Sequence, residues 1–156
     1  MSASKRIGAI RELAVRLAKI ERPDYWTDAG KSITLGEAPA FGDGDPDTAI
    51  AIMVGDSSDS RQGLSETYVC LLPVSIQAFA AAAPKDGTDP FETVEQLVAD
   101  IKRAVEREEP TLAGWCLPTP GISRTGVRAI PRQPGAEFVG AAVDYILPFE
   151  ELWGKP

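Results

Sequence analysis

Apolar residues recur every three or four positions near the start of the chain, at Ile7, Ile10, Leu13, Leu17 and Ile20. The spacing predicts an amphipathic helix from about Ser4 to Glu21, stopped by Pro23. Its other face carries Arg11, Glu12, Arg16 and Lys19, a set suited to solvent or to a neighbouring subunit. A second stripe, Val94, Leu97, Val98, Ile101 and Val105, predicts a helix over 90–108. Asp89 can cap it, Pro90 fills the first helical position, and Glu92 completes the D-P-x-E form of a capping box. Glu95, Asp100, Lys102, Arg103 and Arg107 form its polar face and read as solvated.

Between and after the helices the pattern changes to that of strands. KSITLG (31–36), AIAIMV (49–54) and TYVCLLPVSIQAF (67–79) are rich in β-branched and aromatic residues, and Pro73 marks a bulge or an edge. TLAGWCL (111–117) and GVRAIPR (126–132) read as short strands. EFVGAAVDYILPF (137–149) alternates, with Val139, Ala141, Val143, Tyr145 and Leu147 on one side and Gly140 and Asp144 on the other. Tyr25 and Trp26 are placed to close one end of the core, and Trp115 to join it. The order of elements predicts one α+β domain over residues 1–156, a mostly antiparallel or mixed β-sheet with two amphipathic helices packed on one face.

The longest interruption is GDSSDSRQGLSE, twelve mostly polar residues at 55–66. Hairpin connections normally take two to five residues, so this segment is predicted to be a loop with a role or without order. Its composition predicts mobility in a free subunit and ordering on docking. At the end of the chain Phe149, Leu152 and Trp153 alternate with acids, and a terminus with three large apolar groups must dock, on its own domain or on another subunit.

Charge and composition narrow the chemistry. The chain has 156 residues, a net charge of −7 and no histidine, which removes Ser-His-Asp and Cys-His catalysis. Its two cysteines, Cys70 and Cys116, sit in apolar surroundings and read as buried free thiols. From Asp43, a calcium loop would need glycine and glutamate where Thr48 and Val54 stand. No phosphate-binding glycine loop or nucleophile elbow occurs. No cofactor, metal or catalytic residue is therefore assigned. The acidic balance argues against specific nucleic-acid binding, and no apolar run is long enough for a membrane span.

The chain resembles the tail terminator (tail completion) proteins of long-tailed bacteriophages and prophages. The resemblance is carried by the opening helix leading into "DAG…LGEAP", by DPFETVEQLVADIKRAV, and by EFVGAAVDYILPFEELWGKP after a PGAE turn. It implies a sheet with two helices on one face and a structural role without catalysis. Such proteins form a hexameric ring on the tail tube, end its polymerisation and offer a surface for head joining. The partners implied are further copies of the chain, the major tail tube protein and head–tail connector proteins, with DNA passing through the lumen. The implied location is the host cytoplasm during assembly and then the virion tail. The interface residues expected on this reading are Asp56, Asp59, Arg61, Leu64, Glu66, Phe149, Leu152 and Trp153. Rival readings are a head–tail connector, a small acidic enzyme whose carboxylates meet only in the fold, and a monomeric binding module.

Overall fold

The computed structural model describes residues 4–40, 44–61 and 66–152. In chain order it contains helix α1 (Lys5–Leu17), strands β1 (Ile33–Leu35), β2 (Thr48–Val54), β3 (Ser58–Arg61) and β4 (Thr67–Ala81), helix α2 (Pro90–Glu106), and strands β5 (Ser123–Ile130) and β6 (Phe138–Leu152). Six strands form one sheet in the order β1-β2-β4-β6-β5, with β3 also paired to β4. Among the described residues only the β1–β2 pair is parallel. The architecture is α+β, with two helices packed against a six-strand mixed, mostly antiparallel sheet.

The two long strands set the frame. β4 and β6 pair over their whole lengths, from Thr67↔Leu152 to Ala81↔Phe138. Alternation then gives each face a different character. Leu72, Val74 and Ile76 of β4, with Val143, Tyr145, Leu147 and Phe149 of β6, point into the core beneath the helices. Leu71, Pro73, Ser75 and Gln77, with Asp144 and Ile146, lie on the opposite face, which neither helix covers. Phe79 is buried on that face by Phe138, edge-on at 4.8 Å between ring centroids, and by the closely approaching backbone of Gly140.

Pro73 explains why β2 and β3 are separate strands. They lie end to end beside β4, β2 opposite Val74–Ala80 and β3 opposite Tyr68–Leu71. At the junction the Gly55 N–H donates to the Pro73 carbonyl at 2.8 Å. The same side of Pro73 has no N–H to return, so the ladder breaks there. The expected loop at 55–66 is corrected accordingly: Ser58–Arg61 form a ladder, because the long β4 continues past Pro73 and offers paired edges to a polar segment. Residues 62–65 lie outside the described residues.

Three further expectations change. TLAGWCL is a series of turns, with Leu112, Ala113 and Gly114 all at positive φ (48°, 57° and 86°). The first helix ends at Leu17, four residues before Glu21, and Ile7 lies on its exposed side. Gly8 and Ala9 take the core-facing positions, and an added Cβ on Gly8 would sit 2.3 Å from the Trp115 indole. Tyr25 closes the core as expected, under the Arg103 guanidinium at 5.0 Å, but Trp26 is 62% exposed. Among the described residues no helix is long and apolar enough to cross a membrane.

Candidate functional site

The candidate interface residues separate into three groups. Asp56 is exposed in the link between β2 and β3, Asp59 is exposed on β3, and Glu66 is exposed at the entry to β4. Arg61 pairs through its backbone with Tyr68, and Leu152 is exposed where β6 ends opposite Thr67. The fold thus gathers Asp56, Asp59, Arg61, Glu66 and Leu152 at one end of the sheet. Phe149 is a correction: it faces the helices opposite Cys70 and is wholly buried in this chain's own core. Odd-numbered positions of β6 point inward, so Phe149 extends the series Val143, Tyr145, Leu147 and has no surface to offer. Leu64 and Trp153 lie outside the described residues.

This end is acidic. Asp56, Asp59, Glu66, Glu150 and Glu151 belong to it, and Lys5 of α1 donates from its ammonium to the Glu150 carbonyl. Asp59 also touches Cys70, whose thiol is pushed up to about 11 by burial first and by Asp59 second. Burial similarly pushes Cys116 up to about 12. Both thiols are free and buried, as the sequence suggested, and both are held protonated.

The strongest polar constellation lies elsewhere, where the two helices meet. Arg16 has no exposed surface, and it was expected on the solvated face of its helix. Its Nη1 donates to the Val105 carbonyl at 2.8 Å, and its Nη2 to the Glu109 carbonyl at 2.9 Å and the Glu109 carboxylate at 2.8 Å. Its Nε faces Glu12 at 3.4 Å and Glu108 at 3.7 Å. The guanidinium therefore satisfies the Val105 carbonyl in the last turn of α2, where a helix carries partial negative charge, and the Glu109 carbonyl just beyond it. Glu109 in turn accepts from the backbone N–H groups of Thr111 and Ala113, each at 2.7 Å, and from the Thr111 hydroxyl. Those bonds, the Thr111 hydroxyl foremost, pull the Glu109 carboxyl down to about 2. They also hold the turn through Leu112 and Ala113 that replaces the expected strand.

Asp100 makes the matching clamp on α2. It is buried, where a solvated position was expected, and accepts from Trp26 N, Thr27 N and the Thr27 hydroxyl at 3.0, 2.9 and 2.8 Å. Both buried charges carried a sequence signal. Arg16 lies three residues after Leu13 and four before Ile20, and Asp100 lies three after Leu97 and four before Ala104. Each therefore sits within the apolar arc of its helix, where charge alone pointed outward.

The sheet face away from the helices carries a further polar group. A shallow hollow of about 480 Å³ lies on it, bordered by Met53, Gly55, Pro73, Gln77, Arg128 and Ile146. Arg128 spans the hollow's rim, with Nε 2.7 Å and Nη2 3.3 Å from the two Asp144 oxygens and Nη2 also 3.3 Å from Ser75 Oγ. Among the described residues no group of three or more acidic, cysteine or histidine side chains is arranged to hold a metal ion. No known protein family and no curated protein matches this sequence.

Proposed function

We propose that this chain is a tail terminator of a long-tailed bacteriophage or prophage: a structural protein that forms a ring, hexameric by the resemblance, on the end of the tail tube. It would end tube polymerisation and present a surface to the head–tail connector. The observation that carries the reading is the placement of both amphipathic helices on one face of the sheet, with no helix among the described residues on the other. That is the architecture the resemblance implies, and it leaves each subunit with a broad surface for contact. A ring also needs two unlike patches per subunit, and the acidic end and the bare face are unlike. Within this reading the protein acts by assembly in the host cytoplasm and then resides in the virion tail.

The acidic-enzyme alternative calls for converging carboxylates with raised pKa values in a cleft. Glu12, Glu108 and Glu109 do converge, but on buried Arg16, and Glu108 and Glu109 are both lowered. Electron microscopy of particles made without this gene, then with the protein supplied in trans, tests the proposal. Overlong tubes lacking heads, corrected by the protein, are expected. Tails of normal length that fail to join heads would move the protein to the connector side, and normal virions would end the proposal.

A further inference from the structure

We infer that successive copies join by their sheet edges, β5 of one copy pairing antiparallel with β3 of the next; this rests on the ring-forming reading above. Among the described residues β5 has a neighbour on one side only, β6, and its residues Ser123–Ala129 are all exposed. β3 likewise pairs only with β4, while β1 covers the neighbouring strand β2 at Ile50–Ile52. Bare edges of this kind are ready templates for another strand.

Direction, charge and face all fit. From β3 through β4 and β6 to β5 every neighbour is antiparallel, so β3 and β5 run in opposite directions. A rotation about an axis along the strands keeps those directions, and the two edges of adjacent copies then meet antiparallel. The edges stand at different heights, β5 beside Gly140–Ile146 and β3 level with Pro148–Glu151, a stagger that tilted strands absorb in closed sheets. The β5 side, Ser123–Gly135, carries Arg124, Arg128 and Arg132 with no acid, whereas the β3 end carries five carboxylate residues against Arg61 and Lys5, the latter donating to the Glu150 carbonyl. Within one copy Arg124 already meets Glu106 at 3.2 Å and Arg128 meets Asp144, so part of this positive charge is met inside the copy and the pairing rests first on the two open backbone edges. Two β5 strands side by side would instead bring arginine-only segments together. Asp59 and Arg124 both lie on the helix-side face of their strands, so a continuous sheet sets the opposite charges on one face.

Cysteine cross-linking on tail tubes tests this. Ser60 and Gly126 both lie on the bare-face side, and a Cβ on Gly126 meets nothing within 4 Å. The chain carrying both Ser60→Cys and Gly126→Cys should, on mild oxidation, give a ladder of multimers ending at the ring size, while each single variant stays monomeric on a denaturing gel. Unchanged melting temperatures of the reduced variants serve as the folding control. Dimers from either single variant would overturn the inference in favour of like-edge pairing. Capping rings seen by microscopy with no ladder would overturn it and leave the terminator reading intact. Uncapped tubes with a monomeric wild-type chain would overturn both.

Discussion

An arginine removed from water must have its donors met, or its lost hydration goes uncompensated. Arg16 meets that demand with two carbonyls and three carboxylates drawn from both helices and from Glu108–Glu109 just after α2. Arg16→Ala should therefore lower unfolding free energy by about 3–5 kcal/mol in urea titrations, the range for breaking a buried ion pair. Arg16→Lys should recover only part of this, since a single ammonium cannot span the carbonyls of Val105 and Glu109 as the planar fork does. Glu109 adds a pH dependence. Its carboxyl lies near 2 in the folded chain against an ordinary 4.5, and the exposed Glu108, bonded to Lys19, is lowered as well. The unfolded chain takes up these protons first as pH falls below 4.5. The stabilisation is thus complete above that pH and drains away toward about pH 2. Thermal melts across this window should fall more steeply for the wild type than for Glu109→Gln.

At the level of elements, α1 depends on a glycine and α2 on its cap. Gly8→Ala would ordinarily strengthen a helix by up to about 1 kcal/mol. Here the new methyl would fall on the Trp115 ring system, 2.3–2.5 Å from three of its carbons. Overpacking of this kind costs about 1–3 kcal/mol, so a net loss of stability is expected in chemical denaturation. A gain would mean that Trp115 can swing away. Asp89 accepts from Phe91 N at 3.0 Å, and Asp89→Ala should cost about 1 kcal/mol by the same measurement. The second helix was legible in the sequence because cap, proline and stripe all agree at Asp89–Pro90, and the inward series of β6 was legible because strict alternation allows one solution. What spacing could not reveal was conditional on long-range partners. Spacing puts Arg16 in the apolar arc of α1, but what lets a charge stay there is Val105 and Glu109 across the interface, and TLAGWCL turns because Glu109 gathers its N–H groups. β3 is a strand only because β4 runs seven residues beyond the ladder with β2, back from Val74 to Thr67. The candidate surface was legible to the same degree: the polar residues near β3 came together, while Phe149 followed the alternation of its strand into the core.

For the whole molecule, charge decides how it meets a polyanion. The net charge is −7, and the β5 segment is a long stretch where arginines occur without acids, as residues 1–11 are near the start of the chain. Two of its three arginines are already engaged with carboxylates, Arg124 with Glu106 and Arg128 with Asp144. On the proposed ring reading, a lumen through which DNA slides requires weak attraction at every point, and an acidic chain would meet that need through like-charge repulsion. Fluorescence anisotropy of a labelled duplex at about 50 mM salt, where phosphate contacts are strongest, should therefore stay flat as the protein is added. If it rises and the rise collapses with added salt, the β5 arginines are the first residues to reverse. Loss of binding in Arg124→Glu with Arg128→Glu would then make that edge a phosphate contact in place of a joint between copies. Flat anisotropy together with a cross-linked ladder would leave the edge free for the strand pairing that its exposed backbone invites.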